Sequence, residues 1–126
     1  MSSNRHPIAM PTEAEIFGEY KAESDIDLGM LQMQILWLLS RKNSHGYELM
    51  KDLSVIKRSK VTQGTLYPAM QKLEALKLVE GKESDNKIVY TLTQKGRKTM
   101  NDSCVEFTRT FFGVFQDFVC EKCVSK

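Results

Sequence analysis

Apolar residues recur at helical spacing between residues 28 and 76 and predict three helices there. The first helix begins at Leu28 and ends near Arg41. Ser44 is expected to cap the second helix and Thr62 the third, because a hydroxyl can accept a backbone N–H of the first turn. Residues 54–60 are expected to form a basic connector between the second and third helices. The positions expected to face the core are Leu28, Leu31, Ile35, Leu38 and Leu39 in the first helix, where Met30, Met33, Leu36 and Trp37 widen the stripe. They are Tyr47, Leu49, Met50 and Leu53 in the second helix, and Leu66, Ala69, Met70, Leu73 and Leu76 in the third.

A strand pattern replaces the helical one after residue 77. Leu78-Val79 starts one strand, and the β-branched and aromatic run at 88–92 is typical of another. Asp85-Asn86 predicts the turn, inside a polar hairpin tip at 81–87. Thr93 is expected to cap a last helix. Three helices followed by a two-stranded hairpin is the order of a winged helix-turn-helix, so the predicted fold is mainly α with a small β-hairpin (α+β).

The chain divides into three predicted segments. Residues 1–27 are expected to be a disordered tail and a short N-terminal helix, with Thr12 and Glu15 forming a capping box. Residues 28–93 form the winged helix-turn-helix, and residues 94–126 a C-terminal dimerisation helix. Because we find neither a signal-peptide pattern nor an apolar run that could span a bilayer, we expect a cytoplasmic protein without a membrane partner.

Positive charge is concentrated in the middle of the chain. The formal net charge is +2, yet residues 41–72 carry a net charge of +5 and residues 1–28 a net charge of −4. A nucleic-acid-binding surface needs such a concentration, although basic side chains are also common on any solvated face. The charge map therefore indicates where DNA could bind without establishing that it does.

The outer face of the third predicted helix has an unusual composition. Placed at 100° per residue, Gly64, Tyr67, Pro68, Gln71 and Ala75 fall opposite the apolar positions. A purely structural surface helix would more often carry Glu, Lys and Ala there, so this composition indicates a contact surface. The DNA major groove admits an α-helix and is the predicted partner. The alternative is a helix that only turns a corner in the fold.

The predicted DNA contacts fall into three groups. Glutamines can pair with base edges, hydroxyls and the helix N-terminus can hold phosphates, and basic side chains supply attraction that weakens with salt. The predicted DNA-binding residues are Gln63 and Gln71 for bases, Thr62, Thr65 and Tyr67 for phosphates, Gly64 and Pro68 for the helix surface, Lys57, Arg58, Lys60 and Lys72 for general attraction, and Lys82 and Lys87 on the hairpin.

Four strings, HGYEL at 45–49, GTLYP at 64–68, LEALKLV at 73–79 and YTLTQKG at 90–96, closely resemble the PadR family of bacterial and archaeal transcriptional regulators. The resemblance covers about residues 28–100. It implies a homodimer built by C-terminal helices and repression from a palindromic operator. It also places residues 64, 65, 67 and 68 on the recognition helix, with Tyr47 supporting them. This chain departs from the family at Thr62-Gln63, where Ser-Pro is common, and at Lys77, where Gly is usual.

Phenylalanines form one stripe on the last predicted helix, at Phe107, Phe111, Phe115 and Phe118. Such a stripe must pack on its own domain or on another subunit. We expect a second subunit, because the first helix and the hairpin already close the winged-helix core. The length after the hairpin resembles the PadR subgroup with a single C-terminal helix. That resemblance implies a possible site for a small aromatic ligand at the dimer interface, with ordinary core packing as the alternative.

Two alternative functions remain open. Cys120 and Cys123 have the spacing of a metal or redox pair, which suggests a thiol- or metal-responsive regulator, although no other ligand lies near them in sequence. A winged helix can also serve as a protein-interaction module. No nucleophile–base pattern, phosphate loop or carboxylate pair stands out, so neither an enzyme nor a cofactor is predicted.

Overall fold

The computed structural model describes residues 28–124, with side chains to residue 118, and Thr12, Ala14, Glu15, Gly18 and Ile26 before them. The rest of the predicted N-terminal tail and helix lies outside the described residues. The predicted capping box is present: the Thr12 N–H donates to Glu15 Oε1 at 2.7 Å, and the Glu15 N–H donates to Thr12 Oγ1 at 3.1 Å. The elements that follow are α1 (Met30–Arg41), β1 (Ser44–His45), α2 (Gly46–Lys57), α3 (Gln63–Ala75), β2 (Val79–Ser84), β3 (Lys87–Leu92) and α4 (Gln94–Val124).

The described residues fall into two compact units, one within Ser24–Ser103 and another that contains the part of α4 after Ser103. The core of the first unit is built from one face of each helix together with the base of the hairpin. Side chains with no exposed surface are Ile35, Leu36, Leu49, Leu53, Leu66, Leu73 and Leu78. The inner face predicted for the third helix is thus confirmed, with Leu76 only half-buried at the end of α3. In α1 the core side chains are Ile35, Leu36 and Leu39, whereas Met30 and Trp37 of the predicted stripe are exposed.

The second helix differs from its prediction at both ends. Ser44 does not cap it, because Ser44 and His45 form β1 and pair with Tyr90 and Val89 of β3. His45 is the N-cap, and its backbone N–H donates to Glu48 Oε1 at 3.1 Å. The sheet therefore has three antiparallel strands in the order β1-β3-β2 instead of the predicted two. A two-residue polar strand carries too little periodicity to be visible in the sequence.

Two further positions in α2 correct the sequence prediction. Tyr47 does not face inward, since 68% of its surface is exposed. The helix also continues through Lys57, so the connector begins only at Arg58, which has a left-handed φ of 57°. Ser54 fixes this connector from inside the helix: its hydroxyl donates to the Met50 carbonyl at 2.7 Å and accepts the Val61 N–H at 2.9 Å.

Helix α3 ends in a left-handed residue that is not glycine. Lys77 has a φ of 65°, and the Leu78 N–H donates to the Leu73 carbonyl at 2.9 Å, which is the long hydrogen bond of a Schellman motif. The start of α4 supplies further partners. The Thr93 hydroxyl lies 2.8 Å from the Lys77 carbonyl, and Lys95 Nζ donates to the Leu76 carbonyl at 3.0 Å. The helix end that lacks the family's glycine is therefore held by neighbouring side chains.

The predicted hairpin turn at Asp85-Asn86 is confirmed. Both residues have positive φ, 51° and 64°, as a two-residue type I′ turn requires. The strands reach the turn itself, with Ser84 opposite Lys87, so the polar tip is shorter than the predicted 81–87. The predicted Thr93 cap is also present: its hydroxyl accepts the Gly96 N–H at 2.9 Å as α4 begins.

The second unit contains the C-terminal part of α4. The ring centroids of Phe107 and Phe111 are 4.8 Å apart, and those of Phe111 and Phe115 are 6.1 Å apart. The predicted stripe is therefore continuous along one face of the helix. It remains open to solvent, with exposed fractions of 38% at Phe111, 61% at Val114 and 42% at Phe115.

Candidate nucleic-acid interface

The outer face of α3 is exposed as the sequence predicts. Gln63, Gly64, Thr65, Pro68, Gln71 and Lys72 are all exposed, and Tyr67 keeps 42% of its surface accessible. Thr62 occupies the N-cap position, but its hydroxyl makes no capping bond and lies 3.5 Å from the Thr65 hydroxyl. The capping role predicted for that hydroxyl is thus corrected. With one face buried in the core, the helix is held while its other face is free to contact a partner.

The basic connector lies directly before the N-terminus of α3. Lys57, Arg58 and Lys60 are exposed, whereas Val61 is buried and anchors the connector to the core. The two hydrogen bonds of the Ser54 hydroxyl hold the same segment. The structure therefore brings three cations to the helix end at which backbone N–H groups favour anions.

The two hairpin lysines share one face of the hairpin. Lys82 is opposite Val89 and Lys87 is opposite Ser84, whereas Gly81 is opposite Tyr90. Because successive strand residues point to opposite faces, Lys82 and Lys87 project away from the face that carries Tyr90. Both are exposed. These lysines form a basic surface on the hairpin that is separate from the outer face of α3.

A cleft between α3 and the hairpin brings the predicted contact residues Tyr67 and Gln71 together with Glu74, Ile88 and Tyr90, which the sequence did not assign to a site. It has a volume of about 660 Å³, and its lining includes Tyr47, Tyr67, Gln71, Glu74, Ile88 and Tyr90. Burial raises the pKa of Tyr90, and the charges of Glu74 and Tyr67 add to the rise. The Tyr90 hydroxyl therefore stays protonated at neutral pH. A glycine inside a strand, Gly81, is the one sequence signal that could have indicated this close approach.

The start of α2 adjoins this cleft and is fixed by a small polar cluster. Glu48 Oε1 lies 3.2 Å from His45 Nδ1, and Glu48 Oε2 lies 3.6 Å from Lys42 Nζ. The backbone N–H of His45 is the main cause of a lowered Glu48 pKa, and the charges of His45 and Lys42 also contribute. Glu48 therefore caps α2 as a charged carboxylate, and its bond to the His45 N–H holds β1 against the start of this helix.

The family model "Transcriptional regulator PadR-like family" matches residues 35–102, which is 68 of the 126 residues. The chain belongs to the PadR-like family of transcriptional regulators. It is 32% identical over 78 residues to the transcriptional regulator YqjI of Escherichia coli (strain K12), and the match covers 60% of this chain and 38% of that protein. The family assignment confirms the resemblance and the prediction of a regulator that is not an enzyme.

Solved structures of PadR-like and related regulators share the fold. A PadR family transcription regulator from Clostridium difficile has a TM-score of 0.59 at 26% identity, covering 72% of this chain and 99% of that one. RosR from H. salinarum has a TM-score of 0.61 at 23% identity, covering 79% and 97% of the two chains. Together with the observed helices and sheet, these similarities confirm the predicted winged helix-turn-helix.

The other sequence hypotheses have these outcomes. Cys120 and Cys123 lie on α4, but their side chains are outside the described part of the structure. Among the described side chains, no three His, Cys, Asp or Glu residues form a group that could hold a metal ion. Cys104 is a half-buried free thiol whose pKa is raised by burial. None of the helices in the described residues has an apolar stretch long enough to cross a bilayer.

Proposed function

We propose that this PadR-like protein is a sequence-specific DNA-binding regulator that acts as a homodimer and represses transcription from a palindromic operator. The observation that carries the proposal is the exposed outer face of α3, with three exposed cations immediately before its N-terminus. A rigid helix of this kind enters the major groove, and positive charge beside it neutralises phosphates. Because the proposed partner is chromosomal DNA, we also place the protein in the cytoplasm.

Each part of the surface has a distinct role in this proposal. Gln71 and Gln63 read base edges, since a glutamine amide can pair with adenine in the major groove. Thr62, Thr65 and Tyr67 contact phosphates at the helix start, and the basic connector attracts the duplex from a distance. The hairpin lysines contact the neighbouring groove or its phosphates. Gly64 lets the DNA backbone approach the helix closely.

The phenylalanine stripe supports the homodimer. Its rings contact one another along one face of α4, yet Phe111 and Phe115 remain 38% and 42% exposed in a single chain. An apolar surface of this kind is stabilised when a second copy covers it. Two-fold pairing also suits a palindromic operator, because each subunit then reads one half-site. We also propose, from the family resemblance, that a small aromatic ligand held between the paired stripes controls repression.

The decisive test is salt-dependent DNA binding. The protein is used to select fragments of its own genome, and the affinity for a selected duplex is measured by fluorescence anisotropy at several salt concentrations. We expect binding that weakens steeply with salt. We expect Lys60→Ala to reduce the slope of log K against log salt by about 1.8 for the homodimer, because one phosphate contact, worth about 0.9, is lost from each subunit. Arg97→Ala, an exposed site on α4 outside the proposed surface, should leave the slope unchanged.

No binding to any duplex at low salt would overturn this function. The winged helix would then serve as a protein-interaction module. Equal slopes for the wild type and for Lys60→Ala would remove the basic connector from the DNA interface.

A further inference from the structure

The cleft between α3 and the hairpin is a half-open space of ligand size. Its volume of about 660 Å³ lies in the range of small-molecule sites, roughly 300–1,000 Å³. Buried side chains form its deepest part, with Met70 and Tyr90 only 1% and 6% exposed. The walls come from three elements, namely the start of α2, the outer face of α3 and the hairpin. All of these lie within the same compact unit, so the cleft exists in a single chain.

The absence of a side chain at Gly81 brings three groups together at one end of the cleft. A Cβ there would lie 2.9 Å from Ile88 Cγ2, 3.0 Å from Tyr90 Cε1 and 3.1 Å from Glu74 Oε2. Gly81 is opposite Tyr90 in the sheet, so the tyrosine ring lies across the bare strand. The Glu74 carboxylate is thereby held beside an aromatic ring.

The charge of Glu74 is not neutralised by the residues around it. Among the described residues, no cation forms an ion pair with Glu74. Lys87 borders the cleft, but strand alternation directs its side chain toward the opposite face of the hairpin. The nearby His45 already contacts Glu48 through Nδ1 at 3.2 Å. Apart from Lys87, the remaining polar residues of the lining are the neutral amides Gln71 and Asn86. The cleft therefore contains an unpaired carboxylate.

Tyrosine rings form the rest of the wall. The ring of Tyr67 packs against the backbone at Gly46, where a Cβ would lie 3.5 Å from Tyr67 Cε1. Tyr47, on the first turn of α2, completes this side and already has Lys51 Nζ 6.0 Å from its ring centroid. Electron-rich ring faces attract cations and stack on flat ring systems. Three rings around one carboxylate are suited to an aromatic group that carries a positive charge.

We propose that this cleft binds a flat aromatic cation, with its ring between the tyrosines and its charged end on the Glu74 carboxylate. A nucleic-acid phosphate is disfavoured in the same place, because it would meet an unpaired negative charge. An occupant would contact Tyr67 and Gln71, which also belong to the proposed DNA surface. The ligand and DNA therefore compete, and this regulatory consequence rests on the proposed function.

Binding is tested on the full chain without DNA, using three probes of one shape. These are p-aminobenzamidine, which is cationic, p-aminobenzamide, which is neutral, and p-aminobenzoate, which is anionic. Probe fluorescence is titrated with protein. We expect the cation to bind roughly tenfold or more tightly than the neutral probe, as a charge-assisted contact provides, and we expect the anion to bind most weakly.

Two variants locate the site. Glu74→Gln keeps the shape of the side chain and should make the affinities for the cationic and neutral probes about equal. Glu80→Gln removes another exposed carboxylate, from β2 outside the cleft lining, and should leave the preference unchanged. Thermal melting of both variants checks that each is folded. Equal affinity for the cationic and neutral probes, or a preference that survives Glu74→Gln, overturns the site.

A second arm separates this site from the proposed function. If the protein binds DNA, a saturating amount of p-aminobenzamidine should raise the apparent Kd for a selected duplex, and Glu74→Gln should abolish that effect. Probe binding without any change in the DNA Kd overturns the competition and leaves the site in place. A protein that binds the probe but no duplex at low salt supports the site and overturns the proposed function.

Discussion

Gly96 allows α4 to begin in direct contact with the backbone of Leu78. A Cβ at Gly96 would overlap the Leu78 carbonyl oxygen and lie 2.8 Å from Leu92 Cδ1. We expect Gly96→Ala to lower the free energy of unfolding by about 3 kcal/mol, because backbone cannot move aside as a side-chain end can. Gly113→Ala is the control, since no atom of the described structure lies within 4 Å of its added Cβ and alanine favours helix by up to about 1 kcal/mol. Urea denaturation at one fixed protein concentration measures both, and an unchanged midpoint for Gly96→Ala would contradict the overlap.

Lys77 adopts a backbone conformation that glycine adopts more easily. Its φ of 65° costs roughly 1–2 kcal/mol for a residue with a Cβ, whereas glycine loses about 0.5–1 kcal/mol through its larger unfolded-state entropy. We therefore expect Lys77→Gly to stabilise the fold by up to about 1 kcal/mol. Lys60→Gly, at an exposed connector residue whose φ is not positive, should destabilise it by a similar amount. Thermal denaturation that ranks the two variants equally would refute this account of the helix end.

On the proposed function, helix α3 separates base reading from phosphate attraction along its outer face. Gln71 and Lys72 are neighbouring exposed residues of this helix, so their replacements are matched in position. On the proposed function, Gln71→Ala should lose about 1–3 kcal/mol on a selected site and little on unrelated duplexes. Lys72→Ala should weaken both by similar amounts. Competition binding with the two kinds of duplex measures the difference, and uniform losses for Gln71→Ala would remove it from base reading.

Elements with long, regular patterns could be predicted from the sequence, and short ones could not. The buried side of α3 follows from leucine and methionine at helical spacing, and the type I′ turn follows from Asp85-Asn86. Strand β1 was missed because its two residues owe their conformation to pairing with β3, which lies about 45 residues further along the chain. The spacing of Tyr47 fits the apolar face of α2 and predicts a core position, but in the structure this residue is exposed and lines the cleft.

At the scale of the whole molecule, the apolar face of α4 determines the expected assembly. We expect Phe111→Asp to convert a homodimer into a monomer, because the introduced charge would be buried in the interface without a partner. Thr110→Asp is the control, since Thr110 is exposed and shares its helix face with the native Asp117, seven residues along. Light scattering coupled to size-exclusion chromatography gives the mass of each. A dimeric Phe111→Asp protein would show that the stripe packs elsewhere.

The candidate site could be predicted from the sequence less completely than the fold could. The string GTLYP and the residues around it predicted which helix face is exposed, since local composition determines what a helix exposes. The cleft depends on the register of β2 against β3, which puts Gly81 opposite Tyr90, and on the reach of Glu74 from another element. Such a juxtaposition arises from tertiary packing and leaves no periodic signal in the chain.

The order of the strands has a consequence for solubility. Because β1 and β2 flank β3, the long outer strand of the described sheet is β2, whose unpaired backbone groups could recruit a strand from another molecule. Glu80, Lys82 and Glu83 are all exposed along it. Charged side chains on an edge strand oppose this kind of self-association, because pairing with another strand would remove them from water. The hairpin can therefore project into solvent without becoming a seed for aggregation.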